Sequence, residues 1–365
     1  MKIVVLGGGY AGIACLARLA RVLPDAERHL VDPDRWHLRR TLLHEVLRRP
    51  LKELRAPLAE IARRWDFRHH YARPDWSPQR LARWSRERRI RIGKRELEFD
   101  ALVLATGLPG VHGRASSSRT LPLPLEALAT GPGVNAFKRI ADAEETAWVV
   151  GAGASGLQCL FELAAARPEG APLGLIEAGE TVLGAEPEGL RQVVFDRLDA
   201  LGVDVRLGTF YAGAGRGRVR MESPDSKYSE PAGGVLLCTG PRAKPVTADA
   251  AGRVLADGRP LPGIYAAGDC ARWQDVPFDA ATAQTAVRKG RHVAQTIKRV
   301  LRDREPEEWD ARQLGFFLSL GPRDAVGWLF SRAALIQGLP AVAAREAVEA
   351  RWDLLLRGVD SFGAL

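Results

Sequence analysis

Two short glycine-rich stretches carry the chemistry this chain is equipped for: GGGYAG from Gly7 to Gly12 and GAGASG from Gly151 to Gly156. A Gly-x-Gly-x-x-Gly turn between a strand and a helix lets backbone approach a pyrophosphate closely. The helix start behind it offers free N–H groups and a positive dipole end. An acid follows each turn where a carboxylate would take the hydroxyls of an adenosine ribose. Asp32 closes His29-Leu30-Val31 about 20 residues after Gly12, and Glu177 closes Gly174-Leu175-Ile176 about as far beyond Gly156. One such turn is weak evidence, whereas two complete units point to two dinucleotides, usually a flavin and a nicotinamide. Glu177 further favours NADH over NADPH, because a carboxylate repels a 2′-phosphate and no arginine stands in Ala178-Gly179-Glu180.

The elements that must position these turns are legible as apolar runs. Ile3-Val4-Val5-Leu6 and Ala147-Trp148-Val149-Val150 read as buried parallel strands, each followed by a helical stretch. Asp100 to Gly107 reads as a further buried strand ending at Ala105-Thr106-Gly107, and His112 to Thr120 as a polar linker. Gly234 to Gly240 closes the second unit in the same way. Gly263-Ile264-Tyr265-Ala266-Ala267 ends in Gly268-Asp269, and a helical stretch runs from about Ala280 to Arg302.

Composition narrows the function classes. A chain of 365 residues with 46% hydrophobic content allows about two soluble domains with ample core. A formal charge of +9 and a pI near 9.7 would suit nucleic acid, anionic lipid or two phosphate-rich cofactors. Much of the excess lies between Arg63 and Arg95, where no nucleic-acid-binding motif is present, so nucleic acid is not an expected partner. Cys15, Cys159, Cys238 and Cys270 form no C-x-x-C pair, which fits a reduced, intracellular protein. That spacing also leaves no dithiol beside a flavin, and all four are expected to be structural. The histidines show no metal-ligand spacing, so no metal is expected. Met1 runs into the first strand without a secretory leader, and no apolar run reaches the roughly 18 residues of a spanning helix. The chain is therefore expected to be cytoplasmic, soluble or bound to a surface.

The order of the motifs, glycine unit, Ala-Thr-Gly, glycine unit, Thr-Gly, then Gly-Asp and a helix, resembles the two-dinucleotide-binding-domain flavoproteins over roughly residues 1 to 300. A narrower resemblance is to the type II NADH:quinone dehydrogenases. It rests on VDPDRWHLRRTLLHEVLRR after the first acid, on LIEAGETVLGAEPEGLRQVVFDRLDALGVDVRLGT, on AQTAVRKG, which is similar to that family's quinone-site motif, and on GWLF and the tail through Trp352. The resemblance implies an α/β fold of two Rossmann-like domains, with the NADH domain inserted in a discontinuous FAD domain and a short helical C-terminal segment. The expected divisions are 1–118 and 242–310 for FAD, 119–241 for NADH, and 311–365 for membrane docking or dimerisation. It also implies FAD held by Gly7, Gly9, Tyr10, Ala11, Gly12, Asp32, Ala105, Thr106, Gly107, Gly268, Asp269 and Gln284. NADH would be held by Gly151, Gly153, Ser155, Gly156, Glu177 and Gly240.

In that family Gly-Asp holds a flavin ribityl hydroxyl, and the helix behind it aims its positive end at the isoalloxazine. Hydride transfer from nicotinamide to flavin needs alignment rather than an acid or base, so few residues are catalytic in the strict sense. Gln158, Gln284 and Arg288 are the candidates near an acceptor. The chain departs from the family at these same places: Gln158 replaces a glutamate, Arg288 a second glutamine, and Thr41 and His44 a proline and a tyrosine of the flavin-lining run. His37 and His44 are flavin neighbours by resemblance.

Three activities remain open on these residues. One is NADH oxidation with a quinone as acceptor and no proton pumping, at the cytoplasmic face of the inner membrane. A second is NADH oxidation with a soluble acceptor, and a third is a slow-turnover flavin-bound sensor or scaffold. The tail enters this choice. Ala341, Ala344, Val348, Trp352 and Leu355 recur at spacings of three and four, with Arg345, Glu349 and Asp353 on another face. Such a helix could lie in an anionic bilayer interface with Trp352 at headgroup depth, pack in a homodimer, or pack on its own domain. A chain ending near Gly321 is expected to keep its FAD.

Overall fold

The computed structural model describes residues 1–73, 75–108, 122–240, 244–276, 279–307, 309–310 and 312–361. The expected linker from His112 to Thr120 and the expected divisions at 118/119 and 241/242 lie outside these residues.

The strand Lys2–Leu6 lies inside the largest sheet, flanked in parallel by Glu27–Asp32 and Ala101–Leu104. Arg68–Tyr71 continues the parallel set on one side and Arg259–Ala266 on the other. Ile3, Val4 and Val5 are wholly buried, as a strand covered on both faces requires. The late strand Arg259–Ala266 joins a sheet begun at residue 2, while the intervening chain builds a second parallel sheet, so the first unit is discontinuous. That second sheet has Ala147–Val150 between Leu173–Ile176 and Gly234–Leu237, with Asp204–Arg206 and Leu123–Pro124 at its edges. The two-Rossmann α/β expectation is met.

Two features were not anticipated. An antiparallel sheet, Phe210–Gly215, Arg218–Ser223 and Ser226–Pro231, is inserted before the last strand of the second unit. Its first turn is Arg216-Gly217, both with positive φ (52° and 74°), the geometry of a tight hairpin. The C-terminal segment, expected to be helical, begins with a second antiparallel sheet, Gly315–Ser319, Ala325–Leu329 and Leu335–Gln337. The helix Leu339–Leu356 follows only then.

That helix presents a different face from the expected one. Ala341, Trp352, Leu355 and Leu356 are buried, but Val348 is 55% exposed. Arg345 and Asp353, placed by sequence on the polar side, face the protein, paired with buried Glu45 at 2.9 Å and with Arg39 at 2.9 Å. Trp352 therefore does not stand at headgroup depth. Its indole lies inside the protein, because pairing the charges inward leaves the small-residue side for the surface.

Candidate functional site

The two glycine turns have the same construction, and each close contact falls on a glycine. A Cβ at Gly12 would lie 1.9 Å from the Gly7 carbonyl oxygen, and one at Gly156 would lie 1.9 Å from that of Gly151. Gly7 and Gly151 hold φ of +107° and +101°, where a Cβ would strike the Ala105 or the Cys238 carbonyl. In contrast, a Cβ at Gly9 or Gly153 would meet nothing within 4 Å. Those two glycines open the helices Tyr10–Val22 and Ala154–Ala166, so each turn leaves room for a phosphate at a helix start. Asp32 accepts from the Gly8 N–H (2.6 Å) and the Asp34 N–H (2.7 Å). Glu177 accepts from the Ala152 N–H (2.6 Å) and the Gly179 N–H (2.7 Å) in the same pattern. Each carboxylate keeps lone pairs for a ribose.

Beside the first turn, Ala105 donates its N–H to Leu6 and Gly107 holds φ +62°. The Thr106 hydroxyl accepts from the Trp76 indole at 3.2 Å. Gly268, φ +76°, brings Asp269 up from the far side, where a Cβ on Gly268 would sit 3.0 Å from Ala11. Asp269 remains open to solvent yet crowded by protein, as on a pocket wall, and burial raises its carboxyl while Lys289 and Arg40 oppose the rise. The cradle, the ribose acid and the wall acid together fit a flavin dinucleotide.

The helix Ala283–Val300 is capped by Thr282, which accepts from the Thr285 N–H at 3.1 Å. Sequence reasoning missed Lys289 on it. This side chain is 1% exposed, pairs with Asp279, donates to the Ala271 carbonyl (3.1 Å) and lies over the Trp273 ring. Its position between Ala286 and Val293, on the buried stripe of the helix, was the available signal. Gln284 and Arg288 are occupied by the chain itself. Gln284 accepts from the Leu314 N–H (3.2 Å), while Arg288 donates to the Asp310 carbonyl (2.7 Å) and to that of Arg312 and covers the Trp309 ring. They fasten the segment leading into the C-terminal sheet.

At the second turn, Leu125, Glu126, Ser155, Leu237, Cys238, Thr239 and Gly240 line a cleft. Ser155 and Gly240 were expected there, whereas Leu125 and Glu126 enter from the short helical turn Leu125–Ala129, which carries no nucleotide signature. Gln158 is half-buried one turn into the helix. Cys159, distant in sequence, meets Cys238 of the cleft lining. Their mutual hydrogen bond, with burial, raises the Cys159 thiol, and both are free. Burial pushes Cys270 up to about 11, so neither Cys159 nor Cys270 supplies a ready thiolate.

Tyr10, His37, Thr41 and Trp352 form one cluster. Tyr10 is hydrogen-bonded to Thr41 (2.8 Å) and its ring lies 5.1 Å from His37 and 4.8 Å from Trp352. The Trp352 indole N–H donates to His37 Nε2 at 3.0 Å. Burial holds His37 down at about 4 and His44 at about 3, so both are neutral near pH 7. Among the described residues no group of three or more His, Cys, Asp or Glu side chains is arranged to hold a metal.

The model of the pyridine nucleotide-disulphide oxidoreductase family matches residues 1–290. A type II NADH:quinone oxidoreductase of Staphylococcus aureus is 23% identical over 397 aligned positions, covering 98% of this chain and 96% of the relative. Among solved structures, NDH2 from Plasmodium falciparum in complex with NADH superposes with a TM-score of 0.76 at 13% identity, covering 98% of this chain and 96% of the other. The sulfide:quinone oxidoreductase of Aquifex aeolicus gives 0.79 at 14% identity, with 99% and 93% covered.

Proposed function

The chain belongs to the pyridine nucleotide-disulphide oxidoreductase family and is an FAD-dependent NAD(P)H dehydrogenase that binds NADH, and from that premise we propose that it passes electrons to a quinone met at a membrane surface, without pumping protons. The observation that carries this reading is the match, along nearly the whole of both chains, to a type II NADH:quinone oxidoreductase. In this reading residues 1–118 and 242–310 hold FAD, 119–241 hold NADH, and 311–365 meet the membrane or a second subunit. FAD supplies the two-electron exchange when bound.

The chain's own residues bind and align. Gly7, Gly9, Tyr10, Ala11 and Gly12 cradle the FAD pyrophosphate, Asp32 takes its ribose, and Ala105, Thr106, Gly107, Gly268 and Asp269 line its other end. Gln284 holds the Leu314 backbone beside the helix start that faces the isoalloxazine. Gly151, Gly153, Ser155, Gly156, Glu177 and Gly240 hold NADH. The balanced reaction, NADH with one proton and quinone to NAD⁺ and quinol, requires one proton beyond the hydride. Gln158 is an amide and does not carry it. Exposed Leu314, Leu329 and Phe330, 39%, 38% and 76% accessible beside the Gln284 anchor, support an apolar acceptor arriving on this side.

Steady-state NADH oxidation by the purified flavoprotein, with a short-chain quinone in one series and ferricyanide in the other, tests the reading. Quinone-dependent turnover of at least 1 s⁻¹, the low end of ordinary enzyme rates, is expected. Turnover with ferricyanide alone would replace quinone by a soluble acceptor, and turnover with neither would make the protein a sensor or scaffold.

A further inference from the structure

The two nucleotide units, compared peptide by peptide, differ at one support. In the second unit the Ala152 N–H is held by Glu177 and the Ala152 carbonyl accepts from the Leu183 backbone N–H at 3.0 Å. In the first unit the Gly8 N–H is held by Asp32 in the same way, but the Gly8 carbonyl accepts from a side chain, His37 Nδ1 at 2.9 Å. A carbonyl only accepts, so Nδ1 carries the hydrogen. An indole N–H only donates, so Nε2 is the acceptor for Trp352. The tautomer is thus fixed at both ends, and the ring is 1% exposed.

We propose that Trp352 and His37 are positioning residues for FAD, which make docking of the C-terminal helix and binding of FAD one coupled event. The Gly8 carbonyl and the Gly9 N–H belong to one rigid peptide plane. Fixing the oxygen on His37 therefore fixes the direction of the Gly9 N–H, one of the free donors at the start of the phosphate-facing helix. Trp352 sets the plane of the imidazole from behind and packs on Tyr10, the next residue of the turn. The helix bearing Trp352 is itself held by the Trp65 indole on the Leu355 carbonyl (2.9 Å), by Arg39 on Asp353 and by Arg345 on Glu45. A ligand that favours one arrangement of the turn stabilises the docked tail to the same degree that the docked tail favours the ligand.

The test removes FAD from the purified holoprotein and titrates it back, following flavin fluorescence. Trp352→Phe keeps a ring and loses the donor, and its FAD Kd is expected to rise about fivefold, the worth of one neutral hydrogen bond. His37→Phe breaks both bonds and is expected to raise Kd by more than about twentyfold. His37→Asn, which offers an amide N–H where Nδ1 stood, recovers most of that loss. NADH binding to the same variants stays within about twofold of native, because Leu183 supports the second turn. The native chain gives an independent readout: amide hydrogen exchange across Leu339–Leu356 is expected to slow on adding FAD. Variants that melt earlier yet bind FAD with native Kd, or tail exchange indifferent to FAD, would overturn the proposal and leave the cluster as packing.

Discussion

Glu177 supports the second turn, and in the proposed reading it also selects the cofactor. Its two oxygens hold the Ala152 and Gly179 N–H groups, which shapes the second turn, and in the proposed reading its charge would repel the extra phosphate of NADPH. Glu177→Arg removes the repulsion and both acceptors together. The NADH-to-NADPH ratio of kcat/KM is expected to fall at least about tenfold, some 1.4 kcal/mol of discrimination, with the melting temperature lowered by the orphaned N–H groups. Stopped-flow reduction of the native flavin that runs as fast with NADPH as with NADH would remove the argument. This residue was legible because a strand, a turn and a helix fix the distance from glycines to acid. Gln284 and Arg288 were not legible as anchors, since their partners, the backbone at Asp310, Arg312 and Leu314, lie in a segment with no periodicity of its own.

Between elements, the glycine contacts let the two turns be tested apart. Gly12→Ala would drive a methyl group into the Gly7 carbonyl, and the helix behind has no room to retreat. Its Ala11 carbonyl lies against Gly290, where a Cβ would come within 2.1 Å. Gly156→Ala meets the Gly151 carbonyl in the same way in the other unit. Overpacking of this kind costs about 1–3 kcal/mol. Gly12→Ala is expected to purify colourless or to lose FAD on gel filtration. Gly156→Ala is expected to stay yellow but to need at least about tenfold more NADH for the same rate of flavin bleaching. A yellow Gly12→Ala protein with native FAD affinity would show that the first turn does not hold the flavin. The parallel strands were legible as unbroken apolar runs. The face of the tail helix was not, because Arg345 and Asp353 find partners at Glu45 and Arg39 some 300 residues away, and pairing of that range leaves no trace in local periodicity.

For the whole molecule, one charged network joins distant parts of the chain. Glu45, fully buried, pairs with Arg48 (2.8 Å), Arg49 (3.0 Å) and Arg345 (2.9 Å), and Arg48 reaches Glu162 on the helix Ala154–Ala166 at 3.1 Å. Removing one member of such a buried set costs about 3–5 kcal/mol. A chain ending near Gly321 loses Arg345, Trp352 and Asp353 together, so it is expected to unfold in part and shed FAD rather than keep it. A membrane test must therefore leave the docked face alone. The outward side of the tail carries Leu339 and Leu354, 69% and 42% exposed, with Ala343, Ala347 and Ala350 between them. Among the described residues no helix is long and apolar enough to cross a bilayer; the prediction is that this side makes the membrane contact, aided by the net charge of +9. Native protein is expected to float with anionic vesicles at low salt and less so at 0.5 M, where charge attraction is screened within about 5 Å. Leu339→Glu/Leu354→Glu, which withdraws about 3 kcal/mol of apolar burial, is expected to stay in the soluble fraction while retaining FAD and NADH-ferricyanide turnover. If the double variant floats as well as the native chain, or the native chain does not float, the exposed side belongs to a second subunit or to water. Sedimentation equilibrium then separates those two, and a native chain that does not float costs the quinone reading its path to a lipid-dissolved substrate.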